Sequence, residues 1–383
     1  MLRYLTAGES HGPKLTGIVE GLPSGLTLSK QEIDRALQER QKGPGRGGRM
    51  KIEQDEVLIT AGVRGELTTG APIALEVKNR DWANWENVMT SGKDVDWESK
   101  KVLAPRPGHA DLTGSLKYRT EIRNVLERAS ARETAMRVAV GNLARQLLTD
   151  LGVQIRGRVV TVGSVDLHWE NTEQEWERVA QSEWKVGDLD GEQRLFEQLA
   201  EARRLGESLG GILEIQVLNL PAGLGSYVQW DRKLDGRLAH AVLSVQAMKG
   251  VSFGLGFEAA KRFGSEVHDP IVYCSGEGYK RTQNNAGGIE GGMTNGEPVI
   301  LQAAMKPIPT LYHPLRTVNL ETKAEVQASI ERSDICAVPA ALVVLEHVVA
   351  WEITQAVLEK FPADTMLELK RVWQEYREYL KLQ

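Results

Sequence analysis

Residues 104–134 read APRPGHADLTGSLKYRTEIRNVLERASARET, and arginines, one histidine, several glycines and a helix start crowd into that stretch. Ser130 and Glu133 have the Ser-x-x-Glu spacing of a capping box, and Met136, Ala139, Val140, Leu143, Leu147 and Leu151 follow at helical spacing. The pattern predicts a helix beginning near Ala131. Its free N–H groups and positive dipole end would face back towards Arg106, His109 and Arg128, a setting for phosphate or carboxylate. An ordinary capped helix with solvated arginines gives the same local pattern, so this stretch alone leaves both readings open.

Composition narrows the classes. With 383 residues, 41% hydrophobic, 26% charged and 38 glycines, the chain reads as a soluble globular protein with many tight turns. A formal charge of −5 provides no global basic field to recruit nucleic acid or a membrane surface, so an anion site must be local. Cys274 and Cys336 form no metal-type cluster and suggest reduced thiols, with Cys336 a small core residue. The start MLRYLTAGESHG lacks the regions of a signal peptide, and the apolar run Val338 to Ala350 is interrupted by Glu346 and His347. The expected compartment is the cytoplasm, with no membrane contact.

Towards the N-terminus, Gly8-Glu9-Ser10-His11-Gly12 reads as a loop between two strands, with glycines giving His11 an open backbone. Ser29 to Glu32 is a second capping box, opening a helix that ends near Arg40. Lys42-Gly-Pro-Gly-Arg-Gly-Gly-Arg49 carries three basic residues in eight; its glycine and proline content predicts a mobile lid closing on a charged small molecule. Val57 to Ala61 and Pro72 to Val77 read as strands joined by the Gly65 to Gly70 turn, and Asn79 to Ser99 as surface loops.

Towards the C-terminus, Val153 to Val162 and Ile212 to Leu220 read as strands. Residues 166–208 form an acidic, partly helical surface excursion whose Trp169, Trp176 and Trp184 suit local packing. A helix from Leu234 to Val245 runs into Gln246-Ala247-Met248-Lys249 with a glycine stop at Gly250, and a strand spans Val251 to Phe257. Asn284 to Gly296, NNAGGIEGGMTNG, is either a hairpin connection or a loop allowing close backbone approach to a ligand. Leu301 to Met305 continues as a strand into the rigid Lys306-Pro-Ile-Pro-Thr310. Glu331-Arg332-Ser333-Asp334 precedes an apolar helix opened by Pro339, and its Arg and Asp are either a salt bridge with cap or a catalytic pair. Ala363 to Leu380 reads as a charged terminal helix. No G-x-G-x-x-G follows a strand, and neither a G-x-x-x-x-G-K motif nor zinc-type histidine spacing occurs, so no metal site is expected.

Taken together, GESHG at 8–12, RPGHAD at 106–111, RASARETA at 128–135, KPIPT at 306–310 and RSDICAVPA at 332–340 closely resemble the chorismate synthase family, in that family's order and across nearly the full chain. The resemblance implies an α/β (α+β) fold: one domain over 1–383, a β-α-β sandwich with helices packed between antiparallel sheets, assembled as a homotetramer. It implies a lyase that converts 5-enolpyruvylshikimate 3-phosphate to chorismate and phosphate by anti 1,4-elimination, the last step of the shikimate pathway. Reduced FMN would assist without net redox change.

By similarity, Ser10, Arg40, Arg46, Arg106, Ser130, Arg132 and Arg332 would bind the substrate. Its phosphate and two carboxylates call for fixed cations, and guanidinium forks match such oxyanions. Arg40 and Arg46 also match positions assigned to NADP. The flavin would lie against Arg128, Ala129, Ser130, Gln246, Ala247, Gly291, Lys306, Pro307, Ile308, Pro309, Thr310 and Arg332. The family often has serine where this chain has Ala129, which bears only on a side-chain hydrogen bond. Among catalytic residues, His11 would be the acid at the leaving phosphate, His109 would meet the reduced flavin near N1, and Asp334 would assist proton movement around N5. Whether NADPH reduces the flavin on this chain or an external flavin reductase does so stays open. Two other classes compete: a nucleic-acid binder using 42–49 and Arg119 to Arg132, and a flavin oxidoreductase that consumes reductant in proportion to turnover.

Overall fold

Alternating apolar residues build two antiparallel sheets in the computed structural model, which describes residues 1–48, 53–331 and 333–383. β1 (Arg3–Ala7), β2 (Lys14–Glu20), β3 (Val57–Ala61) and β4 (Ile73–Lys78) pair in the order β1-β2-β4-β3. Leu15, Val19, Ile73, Leu75 and Val77 bury one face, whereas Leu5 and Ile18 on the other are exposed. β5 (Gln154–Val162), β6 (Val165–Asp166), β7 (Gly211–Leu218), β8 (Met248–Phe253) and β9 (Val299–Met305) form the second sheet, ordered β8-β9-β7-β5-β6.

The helices follow from the apolar runs. α1 is Lys30–Gln41, α2 Asp111–Tyr118, α3 Ile122–Ala129, α4 Thr134–Asp150, α5 Glu173–Gln181, α6 Leu189–Leu205, α7 Leu234–Leu243, α8 Val338–Lys360 and α9 Met366–Leu382. α4 packs on β2 and β4, α8 packs on β5 and β7, and the two helices pack on each other with α1 alongside, so these three fill the space between the sheets. The expected sheet-helix-sheet arrangement is therefore present. α8 is long and apolar enough to cross a membrane by length and composition, yet 78% of its apolar window is buried between the sheets. Gly141 makes the α4–α8 crossing close: a Cβ there would stand 2.3 Å from the carbonyl oxygen of His347.

His347 is fully enclosed at this crossing. Its Nδ1–H donates to the Val343 carbonyl at 2.7 Å and its Nε2 accepts from Asn142 Nδ2 at 3.2 Å, so it serves as a neutral, satisfied core histidine. Burial, then the nearby Arg145, pushes its pKa down to about 3. The unfolded chain therefore takes up a proton near the ordinary imidazole pKa of about 6.5 while the folded chain does not. Stability is expected to fall as pH drops below that point, by up to about 1.4 kcal/mol per pH unit. Urea titrations of the parent and of His347→Gln between pH 7.5 and 5 check this; equal pH slopes would remove the assignment.

Several local expectations are corrected. The helix after residue 130 begins with a 3-10 turn, Ala131–Glu133, before α4 proper. Ser130 does cap through Arg132 N–H at 3.3 Å, but its own N–H already closes α3 on the Leu126 carbonyl, so Glu133 instead meets Thr6 and Gln246. α7 stops at Leu243, and Gln246-Ala247 leads directly into β8, with Ala247 left-handed at φ 69°. Residues 79–99 contain a 3-10 turn, Arg80–Asn84, and a short helix, Glu86–Met89.

The loop read as mobile is docked over residues 42–48. Gly45 O accepts from Ile335 N–H at 2.8 Å and Gly47 N–H donates to Asp334 Oδ1 at 2.6 Å. Arg49 lies outside the described residues. The 166–208 excursion behaves as local packing: Trp176 and Trp169 lie under Arg156 and Arg158 of β5 at 4.0 and 4.3 Å, covering the outside of the second sheet, and Trp184 is buried. Cys336 is in the core, where burial pushes its thiol up to about 11.

Candidate active site

The loop between β1 and β2 is set by Asn79, whose Nδ2 donates to the carbonyls of Glu9 and Gly12 at 3.1 and 2.6 Å. That loop, residues 81–85, the ends of α3 and β9, and the start of α8 enclose a cleft of about 1130 Å³. Arg40, Arg46, Lys100, Arg106, Arg123, Arg132 and Lys306 all line it, so a chain of net negative charge presents a local concentration of cations there.

The two histidines of the sequence reading both reach the cleft, each anchored on a buried carboxylate. His11 stacks on Trp85 with ring centroids 3.8 Å apart, and its Nδ1 lies 2.8 Å from Glu127 Oε1. Burial alone would raise Glu127, but its hydrogen bonds with His11 and the nearby Arg123 outweigh burial and hold the carboxyl below its ordinary range. His109 Nδ1 is hydrogen-bonded to Asp111 Oδ1. Arg106 grips the same carboxylate from its Nε at 2.8 Å and donates from Nη1 to Thr310 Oγ1 at 3.0 Å. Asp111 is likewise held far below the ordinary range: burial opposes ionisation, and the bonds from His109 and Arg106 overcome it.

The floor of the cleft is a second buried network. Arg132 Nη1 lies 2.7 Å from both oxygens of Asp55, Arg40 Nη2 lies 3.1 Å from Oδ2, and Arg132 Nε donates to Asn79 Oδ1 at 2.8 Å. Burial pushes Arg40 down to about 10, and its Nε has no hydrogen-bond partner among the described residues. Arg46 pairs with Asp334 at 2.9 Å, so the proposed catalytic carboxylate also fastens the basic loop. Ser10 and Ser130 hydroxyls meet at 3.2 Å.

Of the residues expected to be functional, Ser10, His11, Arg40, Arg46, Arg106, His109, Ala129, Ser130, Arg132, Gln246, Ala247, Lys306, Ile308, Pro309, Thr310 and Asp334 line this one cleft. Pro307 is not among the lining residues, although its neighbours are. Arg128 turns outward at the end of α3, donating to the Thr6 and Gly8 carbonyls rather than facing the start of α4. Gly291 sits in the tight turn of the hairpin Ile289–Glu290 and Met293–Thr294, away from the cleft. Arg332 lies outside the described residues.

Sequence reading missed Trp85, Lys100, Arg123 and Glu331 on the cleft wall and the carboxylates Asp55 and Glu127 behind it. Asp111 and Glu127 sit beside or within motifs, so an acid flanking a motif histidine or arginine is the signal that could have found them. For Asp55 no such signal exists.

A cation-lined cleft holding two carboxylate-anchored imidazoles defines an enzyme that fixes a small polyanion and moves a proton beside it. A family pattern described as Chorismate synthase matches residues 2–358. The chain is 72% identical over 379 residues to the chorismate synthase of Desulfitobacterium hafniense (strain Y51), covering 99% of each. It is 53% identical over 385 residues to that of Enterococcus faecalis (strain ATCC 700802 / V583), again covering 99% of each. A crystal structure of chorismate synthase superposes with a TM-score of 0.81 at 41% identity, covering 100% of this chain and 99% of the other. The chain belongs to the chorismate synthase family. It is a lyase of the shikimate pathway, releasing phosphate from 5-enolpyruvylshikimate 3-phosphate to form chorismate.

Proposed function

We propose that the cleft binds 5-enolpyruvylshikimate 3-phosphate against reduced FMN, with His11 as proton donor to the departing phosphate. The observation that carries this reading is the pairing of two separately anchored imidazoles with a cluster of guanidiniums in one cleft. Arg46, Arg106 and Arg132, with Arg40 below, supply the fixed cations that a phosphate and two carboxylates need. Arg332 belongs to the same set by the family motif.

The residues present suit a flavin. Ile308, Pro309, Ala337, Ala341 and Val344 give an apolar wall for a ring system. Gln246 Oε1 is buried in the lining without a partner among the described residues, an acceptor that a ring N–H would satisfy. Lys306 is steadied by the Gly108 carbonyl at 2.5 Å, and its ammonium pKa is lowered by burial and then by Lys249. Ala129, Ser130, Ala247 and Thr310 complete the wall. Reduced FMN, when bound, lends electron density to phosphate departure and recovers it, so no reductant is consumed per turnover.

The chain's own groups handle the protons. His11 gives one to the leaving phosphate, His109 would protonate or hydrogen-bond the reduced flavin near N1, and Asp334 would assist movement around N5 of the separate proton that the substrate loses. Arg128 and Gly291 are cofactor contacts in this reading, reached from outside the cleft that this chain forms. We take the assembly to be a homotetramer, each chain one domain, in the cytoplasm; the exposed Leu5, Ile18 and Leu58 on the outer face of the first sheet support further packing. NADPH is the reductant, used through Arg40 and Arg46 or by an external flavin reductase.

Anaerobic incubation with substrate and pre-reduced FMN is expected to release phosphate over many turnovers without proportional loss of reductant. Proportional consumption would make the chain an oxidoreductase, and phosphate release independent of flavin would overturn the cofactor reading. Repeating the assay with oxidised FMN and NADPH alone separates self-reduction from an external reductase.

A further inference from the structure

We infer that Glu127 is the positioning residue for His11: it fixes the imidazole with Nδ1–H towards the protein, making Nε2 the nitrogen that exchanges a proton in the cleft. The inference rests on the reading of His11 as the acid at the departing phosphate. One side chain makes both contacts: Glu127 Oε2 accepts the His11 backbone N–H at 2.7 Å and Oε1 meets His11 Nδ1 at 2.8 Å. The Glu127 carbonyl also accepts Ser10 N–H at 2.8 Å, so backbone and ring are registered against the same residue of α3.

An ionised carboxylate only accepts, and Glu127 is held ionised, so the shared hydrogen belongs to Nδ1. The Glu127 side chain is completely buried, an expensive place for a charge whose sole task is packing. The remaining rotation of the ring is stopped by Trp85, stacked within 21° of parallel. Arg123 braces both parts: it lies 3.4 Å from Glu127 Oε1, stands 5.2 Å over the Trp85 ring, and pairs with Glu331 at 3.2 Å on the segment leading to Asp334. In the proton transfer the Nε2–H bond breaks, its electron pair stays on the ring, and an O–H bond forms on the phosphate. The ring is left neutral with Nδ1–H still on Glu127, so no rearrangement follows the transfer.

Two measurements test this. In ¹⁵N-histidine NMR spectra of the full-length chain, with the His11 signals identified by their loss in His11→Ala, neutral His11 is expected as the Nδ1–H tautomer, shifting towards a mixture in Glu127→Gln. An Nε2–H tautomer in the parent overturns the proposal whatever the activity. In phosphate release with pre-reduced FMN, Glu127→Gln is expected to lower kcat at least about 10- to 100-fold with little change in KM, the range seen when the outer partner of a metal-bound imidazole is lost. The alkaline limb of its pH profile should move to lower pH, and Glu127→Asp should restore part of both. A Gln variant with the parental pH profile, or Gln and Asp variants impaired alike, makes Glu127 merely structural and overturns the proposal. Failure of the underlying reading looks different: His11→Ala would then retain activity even with the NMR tautomer as expected.

Discussion

Replacing His11 by alanine is expected to lower phosphate release with pre-reduced FMN by about 10²- to 10⁴-fold, the usual worth of a positioned general acid. The fold should persist, because Glu127 keeps the backbone N–H of residue 11 and Asn79 still clamps the loop at residues 9 and 12. The departing phosphate would then lose its proton donor but not its guanidiniums, so the defect should lie in kcat rather than KM. His109→Ala should show a comparable loss. There, Arg106 remains on Asp111 through Nε and Nη2, so the buried carboxylate keeps a partner. Phosphate release within about threefold of the parent, in protein with an unchanged thermal transition, would remove either histidine from the chemistry.

How far these roles were legible from the sequence depended on how local their cause was. Ser29 and Pro339 act within a few residues of themselves, and the helices they open are where the patterns placed them. The Gly65 to Gly70 turn, by contrast, belongs to a small hairpin, Val63–Arg64 with Leu67–Thr68, that bonds residues 25–28. The elements followed from the sequence periods, and their arrangement from the motif resemblance. Glycine was harder to interpret. In the 42–48 loop its abundance suggested mobility, but a Cβ at Gly45 would stand 2.9 Å from Cys336 and one at Gly47 2.8 Å from the Ser333 carbonyl. Those glycines let the loop lie directly on neighbouring backbone, a use that composition cannot distinguish from flexibility.

The misses share another cause. Trp85 stands in an aperiodic polar stretch, and its value comes only from the His11 ring brought against it by the fold. Glu127 and Asp55 gain their meaning from partners 116 and 77 residues away. Arginines at an anion site announce themselves through motif and charge, whereas the carboxylates that hold them in place resemble any surface acid until burial is known.

Asp55 shows how much rests on such a residue, and Asp55→Asn is expected to destabilise the chain by about 3–5 kcal/mol, the typical cost of stranding buried charges. The side chains of Arg40 and Arg132 are only 5% and 2% exposed, and Asp55 is the carboxylate they share. An asparagine offers one accepting oxygen and no charge, so the two guanidiniums lose their shared counter-charge, while Arg132 keeps the buried Glu53 carboxylate 3.7 Å from its Nη2. Burial would raise the Asp55 carboxyl, but the charges and hydrogen bonds of Arg132 and Arg40 outweigh it and hold it below the ordinary range. A depressed carboxyl stabilises the fold fully above its unfolded pKa of about 3.9 and loses that contribution as pH falls through the folded value. The stability gap between parent and variant should therefore be widest near neutrality and narrow on acidification below about pH 4. Urea titrations at pH 7 and pH 3.5 compare the full gap with the onset of its narrowing, and a gap under about 1 kcal/mol at pH 7 would contradict the network. Substrate affinity provides an independent reading: with Arg40 and Arg132 no longer held in register, KM for 5-enolpyruvylshikimate 3-phosphate should rise in whatever fraction stays folded, because the carboxylate that stabilises the floor also aims its cations.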